Sequence, residues 1–184
     1  MSDIVLISGS PSASSRTTAI VDYARRHFGA RQIEAAVIHV REFPAEDLIH
    51  ARYDSVVFDE AKALVANATG VVVGTPIYKA AYTGTVKTFL DILPQGALRG
   101  KIVLPIACGG SPAHLLAIDY ALKPVLSTLG ATDLLQGVYV VDDQARVSPE
   151  GELWVHPDLQ TRFDDSLDQL ATAVASRRSA MAAR

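Results

Sequence analysis

Two stretches of this chain, Val71-Val72-Val73 and Ile102-Val103-Leu104, are apolar at every position. A strand with one face in water alternates apolar and polar residues, because successive side chains point to opposite sides. A strand that is apolar throughout has to be covered on both faces, as a central strand of a parallel sheet is. The surrounding pattern supplies the cover. Residues 4–7, 33–40, 70–74, 101–107 and 134–141 read as strands, and residues 16–28, 55–68, 84–93, 114–129 and 157–178 as helices. Gly29 falls where a left-handed cap is expected, and Pro94 stops the third helix. Val57, Ala61, Leu64 and Val65 share one side of the second helix.

Strands alternating with helices make a doubly wound α/β sheet, and five parallel strands in the order 2-1-3-4-5 give the flavodoxin-like arrangement. Its ligand crevice lies beyond the carboxyl ends of strands 1 and 3. The chain has 184 residues, which suits one domain, expected over residues 1–178 with 179–184 as a flexible tail. Residues 142–157 read as a surface loop. Hydrophobic residues make up 49%, enough for a core and too many for a disordered chain. A net charge of −3 without a basic run argues against nucleic acid or an anionic membrane as partner. No apolar segment approaches the ~20 residues that span a bilayer. Met1-Ser2-Asp3 leads into the first strand without a basic leader, so a cytoplasmic protein is expected. The single cysteine, Cys108, excludes an internal disulfide, and the five histidines never occur at metal-ligand spacing, so no metal is expected.

Three loops should meet at the crevice. The first, Ser8-Gly9-Ser10-Pro11-Ser12-Ala13-Ser14-Ser15-Arg16-Thr17-Thr18, carries seven hydroxyl side chains and one Arg in eleven residues and leads into a helix. Free N–H groups and the positive dipole end at a helix start suit a phosphate. The same residues would serve equally as a solvated N-capping turn. The loop lacks the spacing of a nucleotide-triphosphate P-loop and of a dinucleotide glycine fingerprint. The second loop, Thr75 to Gly84, begins with Pro76, which stiffens a ledge carrying Ile77 and Tyr78 against which a flat heteroaromatic ring would fit. The third, Cys108-Gly109-Gly110-Ser111-Pro112, lets backbone approach a ligand without a Cβ in the way. Cys108 lacks the base and orienting group of a nucleophile and reads as a small buried hydrophobe. A serine hydrolase using Ser10 or Ser111 would need a Gly-x-Ser-x-Gly elbow, which is absent.

These loops, with the helix Gly84-x-x-Lys87-x-x-x-Asp91, resemble the NAD(P)H-dependent FMN reductase family. Tyr78-Lys79-Ala80-Ala81-Tyr82, Val103-Leu104-Pro105 and the run from Ala113 to Leu126 are similar to the branch that supplies reduced flavin to alkanesulfonate monooxygenase. The resemblance implies hydride transfer from NADPH or NADH to FMN, by stacking the two rings rather than by side-chain acid or base. It places Ser10, Ser15, Arg16 and Thr17 on the phosphate. Thr75, Pro76, Ile77 and Tyr78 would hold the ring and ribityl chain, with Gly109, Gly110 and Ser111 closing the third side. Many members carry Arg where this chain has Ser12, so Arg16 is expected to take that role. Arg16, Lys79, Arg99 and Lys123 are the cations considered for a nucleotide 2′-phosphate.

The helix at 114–129 is apolar on more than one face, which suits a subunit interface. Pro124 lacks an N–H and crowds the carbonyl of Tyr120, so a kink or a π-type bulge is expected there. The resemblance implies that Tyr120 belongs to a π-helix lining the flavin at a homotetramer interface, and that a flavin-dependent monooxygenase is a transient partner. Two further readings are a quinone or azo-dye reductase that keeps its FMN, and a flavodoxin-type electron carrier.

Overall fold

The computed structural model describes residues 2–183. Its elements in chain order are β1 (Ile4–Ser8), α1 (Arg16–Ala30), β2 (Ala35–His39), α2 (Ala45–Ile49), α3 (Asp59–Asn67), β3 (Gly70–Tyr78), β4 (Ala81–Tyr82) and α4 (Gly84–Ile92). Then follow β5 (Ile102–Gly109), α5 (Lys123–Thr128), β6 (Asp133–Leu134), β7 (Val138–Val141), β8 (Ala145–Val147), β9 (Leu153–Val155) and α6 (Pro157–Ala182). A π-helical turn, Ile118–Leu122, leads into α5.

The strands pair in parallel in the order β2-β1-β3-β5, with β6 and β7 sharing the fifth position beside β5. Leaving out β4, which folds back antiparallel on β3, this is the flavodoxin-like order 2-1-3-4-5. Successive side chains go to opposite layers. Val5, Ile7, Val71 and Val73 pack with residues of α2 to α5 on one face. Ile4, Leu6 and Val72 pack with α1 and α6 on the other. All seven are fully buried, which is why β1 and the start of β3 need no polar side.

The fifth strand is broken, and Pro105 breaks it. The Leu135 N–H donates to Val103 O at 2.9 Å, so Val103 turns its backbone polar groups toward the fifth strand. Two residues on, Pro105 faces the same way and has no N–H to offer. Pairing ends with Val103 opposite Leu134 and resumes with Ile106 opposite Val138. Gly137 makes the connection at φ +91°, where a Cβ would stand 2.9 Å from Pro105 O. Only glycine satisfies both conditions.

Several boundaries differ from the expectation. α1 runs through Gly29, and the left-handed residue is Gln32 at φ +60°. α3 starts at Asp59 after a 3₁₀ turn, Val56–Phe58, whose tighter winding buries Phe58 and leaves Val57 exposed. The expected loop at 142–157 contains the β8–β9 hairpin. α6 continues past 178 to Ala182, so most of the expected tail is helical, and Arg184 lies outside the described residues. Lys101 is buried before β5 and donates to Ala66 O and Ala68 O at 2.8 and 2.6 Å, capping the end of α3. Among the described residues no helix is long and apolar enough to cross a membrane.

Candidate active site

The β1–α1 loop is a knot of hydroxyls. Ser15 is the N-cap of α1, its Oγ accepting from Thr18 N–H at 3.1 Å. Ser15 Oγ also lies 2.6 Å from Ser10 Oγ, and Thr18 Oγ1 donates to Ser12 O at 3.0 Å. Ser10 is fully buried. These bonds fix the loop and leave the first N–H groups of α1 without intrahelical partners. Thr17 is buried beside Cys108, which leaves its backbone N–H as the group it can offer an anion. Arg16 is committed elsewhere: Nη1 pairs with Asp142 Oδ1 at 2.5 Å and Nη2 donates to Gly109 O at 3.2 Å. Arg16 Nε and Ser8 Oγ are the buried side-chain polar atoms without a partner among the described residues. Both flank this loop, so its polar groups are left incomplete by the protein alone.

The ledge is an extension of β3, which continues through Thr75 and Pro76 to Tyr78 before turning back into β4. Thr75 Oγ1 accepts from Thr83 N–H at 3.1 Å, and Thr83 Oγ1 donates to Gly9 O at 2.7 Å. Thr83 therefore locks the first loop to the second, and Thr75 is engaged within the ledge rather than facing a ligand. Pro76 is buried, Ile77 half-buried and Tyr78 exposed. Lys79 and Ala80 make the turn with φ of +50° and +66°. Such turns usually take Asn-Gly, and a Lys-Ala pair holds a strained backbone.

The third wall starts inside β5, since Cys108 and Gly109 are strand residues. A Cβ at Gly109 would lie 2.0 Å from Tyr139 Oη, whose hydroxyl donates to Ser111 O at 3.0 Å. Gly110 faces open space, its nearest neighbour to a Cβ being Asp142 Oδ2 at 3.9 Å. Ser111 caps a 3₁₀ turn, Pro112–His114, with His114 exposed. Burial pushes the Cys108 thiol up, against the opposing influence of Thr17 and Arg16 beside it, which favours the neutral thiol. Among the described residues no group of three or more His, Cys, Asp or Glu gathers as a metal site.

Beside this wall, the Lys123 N–H donates to Ile118 O five residues back, the hydrogen bond of a π turn. The turn sits immediately before Pro124, which has no N–H to close an α-helical bond to Tyr120 O. In the single chain Leu115, Leu116 and Tyr120 are exposed, Tyr120 by 79%, while Ile118, Leu122 and Leu126 are buried.

The hydroxyl loop with its unpartnered Ser8 Oγ and Arg16 Nε, a stiff ledge with an exposed Tyr and the Gly109-Gly110 wall thus lie together at the carboxyl ends of β1, β3 and β5. Residues 2–146 match the family described as NADPH-dependent FMN reductase. The chain belongs to that family. It is 48% identical to the FMN reductase (NADPH) of Pseudomonas putida, over 95% of this chain and 89% of the relative. It is 42% identical to the FMN reductase (NADPH) of Escherichia coli, over 95% and 91%. The apo crystal structure of the NADH:FMN oxidoreductase EmoB superposes with a TM-score of 0.83 at 41% identity, covering 94% of this chain and 90% of that one.

The chain is therefore an NAD(P)H-dependent FMN reductase. Bound FMN supplies the ring that accepts hydride from the reduced nicotinamide. The protein's part is to hold and orient the two reactants. In the reductase the hydroxyls of Ser10 and Ser15, the Arg16 and Thr17 N–H groups and Arg16 Nε would hold the phosphate. Pro76, Ile77 and Tyr78 would line one edge of the ring, and Gly109, Gly110 and Ser111 the other. Thr83, Tyr139 and Asp142 escaped the sequence reading; each acts by pinning a loop to another that is distant in the chain.

Proposed function

We propose that the reductase treats FMN as a substrate and hands the reduced flavin to a flavin-dependent monooxygenase, with alkanesulfonate desulfonation as the reaction served. The observation that carries the first step is the engagement of Arg16 by Asp142 and Gly109 O. Its positive charge is largely answered within the protein, and the rest of the cradle is neutral hydroxyl and backbone. Each neutral hydrogen bond contributes about 0.5–1.5 kcal/mol against roughly 1.5–3 for a charged one, so such a cradle favours exchange over retention. The reductase works in the cytoplasm as a homotetramer, in which a second copy covers Leu115, Leu116 and Tyr120 and brings the π turn against the flavin. Exposure of those three side chains in the single chain supports this arrangement.

The test is steady-state NAD(P)H oxidation with free FMN varied at fixed enzyme. Saturation in FMN, with purified protein nearly free of flavin, supports the substrate reading. A rate indifferent to added FMN, with one flavin retained per chain, would instead identify the quinone or azo-dye reductase. Adding an alkanesulfonate monooxygenase should yield sulfite, and sulfite formation unaffected by the reductase would remove the partner assignment.

A further inference from the structure

A nicotinamide dinucleotide laid against the flavin still has its adenosine half to place outside the crevice. On the α2 and α4 side lies a cavity of about 440 Å³, lined in part by Pro11, Arg41, Phe43, Ile49, Tyr78 and Thr85. That volume is in the range of small-molecule sites. Pro11 belongs to the β1–α1 loop and Tyr78 to the ledge, so cavity and crevice share walls. The lining is mostly apolar and firm. Phe43 stacks on Phe89 with centroids 5.6 Å apart and planes 3° apart, while Ile49 stands 71% exposed at the surface.

Among the described residues Arg41 is the one charged side chain lining the cavity. Its Nη1 donates to His39 Nδ1 at 3.1 Å and lies 3.5 Å from Thr18 Oγ1. Nη2 pairs with Glu42 at 3.2 Å, but that carboxylate is 64% exposed, and a water-facing pair of this kind is weak. The first N–H groups of α4, at Gly84 and Thr85, stand on the same wall and add positive potential.

We propose that this cavity receives the adenosine 2′-phosphate end of NADPH, and that Arg41 distinguishes NADPH from NADH. The inference rests on NAD(P)H-dependent flavin reduction. A purine needs a flat apolar slot, and a 2′-phosphate needs a cation beside it; the planar guanidinium fork matches a phosphate better than an ammonium does. The cations suggested by sequence are placed less well. Arg16 spans two walls of the flavin crevice and Lys123 opens α5; neither lines this cavity. Arg99 precedes β5, at the opposite end of the sheet from the crevice. Lys79 sits in the ledge turn outside this cavity.

The experiment compares NADPH and NADH in the wild type, Arg41→Gln, Arg41→Lys and Lys79→Ala. Losing one charged contact predicts a ten- to hundredfold fall in kcat/KM for NADPH in Arg41→Gln, with a far smaller change for NADH and partial rescue in Arg41→Lys. Calorimetry gives a reading independent of turnover: adenosine 2′-monophosphate should bind the wild type and bind Arg41→Gln at least tenfold more weakly, while adenosine 5′-monophosphate shows no such difference. Equal losses for both nucleotides would overturn the proposal, as would loss of NADPH preference in Lys79→Ala instead. A rise in KM for FMN but not riboflavin would reassign Arg41 to the flavin phosphate and equally overturn it. If the wild type oxidises neither nucleotide, flavin reduction itself is wrong, and the calorimetric result still judges the cavity.

Discussion

Arg16 Nη1 and Asp142 Oδ1 lie 2.5 Å apart, joining the first turn of α1 to the segment that follows β7. With Nη2 on Gly109 O, one guanidinium sets the spacing between two walls of the flavin crevice. Arg16→Ala should raise the KM for FMN by about tenfold, the worth of one partly exposed charged contact. Asp142 is more than half exposed, so Asp142→Asn should cost only a few-fold. Titrations with FMN at low and high salt check both, and an unchanged KM in Arg16→Ala would mean that the walls hold their spacing without it.

Gly109 is the tightest point of the third wall. Gly109→Ala puts a methyl 2.0 Å from Tyr139 Oη, so the phenol must swing away and release Ser111 O. FMN affinity should fall about tenfold or more, since overpacking and a lost hydrogen bond add at one place. Adding Tyr139→Phe should recover part of the loss, and a double variant no better than the single one would locate the damage elsewhere.

Ser10 and Ser15 can be separated from the ring by choice of flavin. Ser10→Ala removes the 2.6 Å contact between their hydroxyls and one phosphate donor. The KM for FMN should rise roughly three- to tenfold, from about 1 kcal/mol, while that for riboflavin stays put. An equal effect on both flavins would show that Ser10 shapes the loop instead.

Tyr120 is 79% exposed, so Tyr120→Ala should leave the thermal stability of the isolated chain within about 0.5 kcal/mol. It should shift the oligomer distribution in size-exclusion chromatography and leave more FMN on the purified protein. Unchanged assembly and unchanged flavin retention together would exclude a role for this side chain at a subunit contact.

Asp47 links pH to folding. The Ser55 hydroxyl, donating at 2.8 Å, and Arg52 at 2.9 Å hold its carboxyl below the ordinary 3.8, against the opposing pull of burial. An acid with a lowered folded pKa stabilises the fold above its unfolded value, and that stability is lost as pH falls through the folded value. Ser55→Ala should therefore lower Tm at neutral pH, with the gap to the wild type closing in strong acid. A gap that persists unchanged there would point to lost packing instead.

The sheet was readable because its strands are apolar on both faces, a pattern that no surface loop imitates. The hydroxyl knot of the first loop was readable from Ser10 and Ser15, which are close in sequence. The role of Arg16 was not, because Asp142 and Gly109 are remote in the chain and meet it only through the sheet order. The turn at Lys79-Ala80 has no Gly or Asn to announce its left-handed backbone, so the ledge read as a loop. The break in the fifth strand was not readable: 134–141 is expected as one strand, although Pro105 withholds a ladder donor from it. Pro124, by contrast, marked the distortion at Tyr120.

The interruption at Gly137 also bears on behaviour in concentrated solution. A long outer strand offers its unpaired backbone as a template on which a neighbouring molecule can add itself. Here that border is two short pieces set at a bend. The Tyr139 carbonyl is taken by Arg162 at 3.1 Å and the Val141 N–H by Gln144 at 3.4 Å. The same proline that spoils the ladder thus helps to keep separate copies from zipping together along this border.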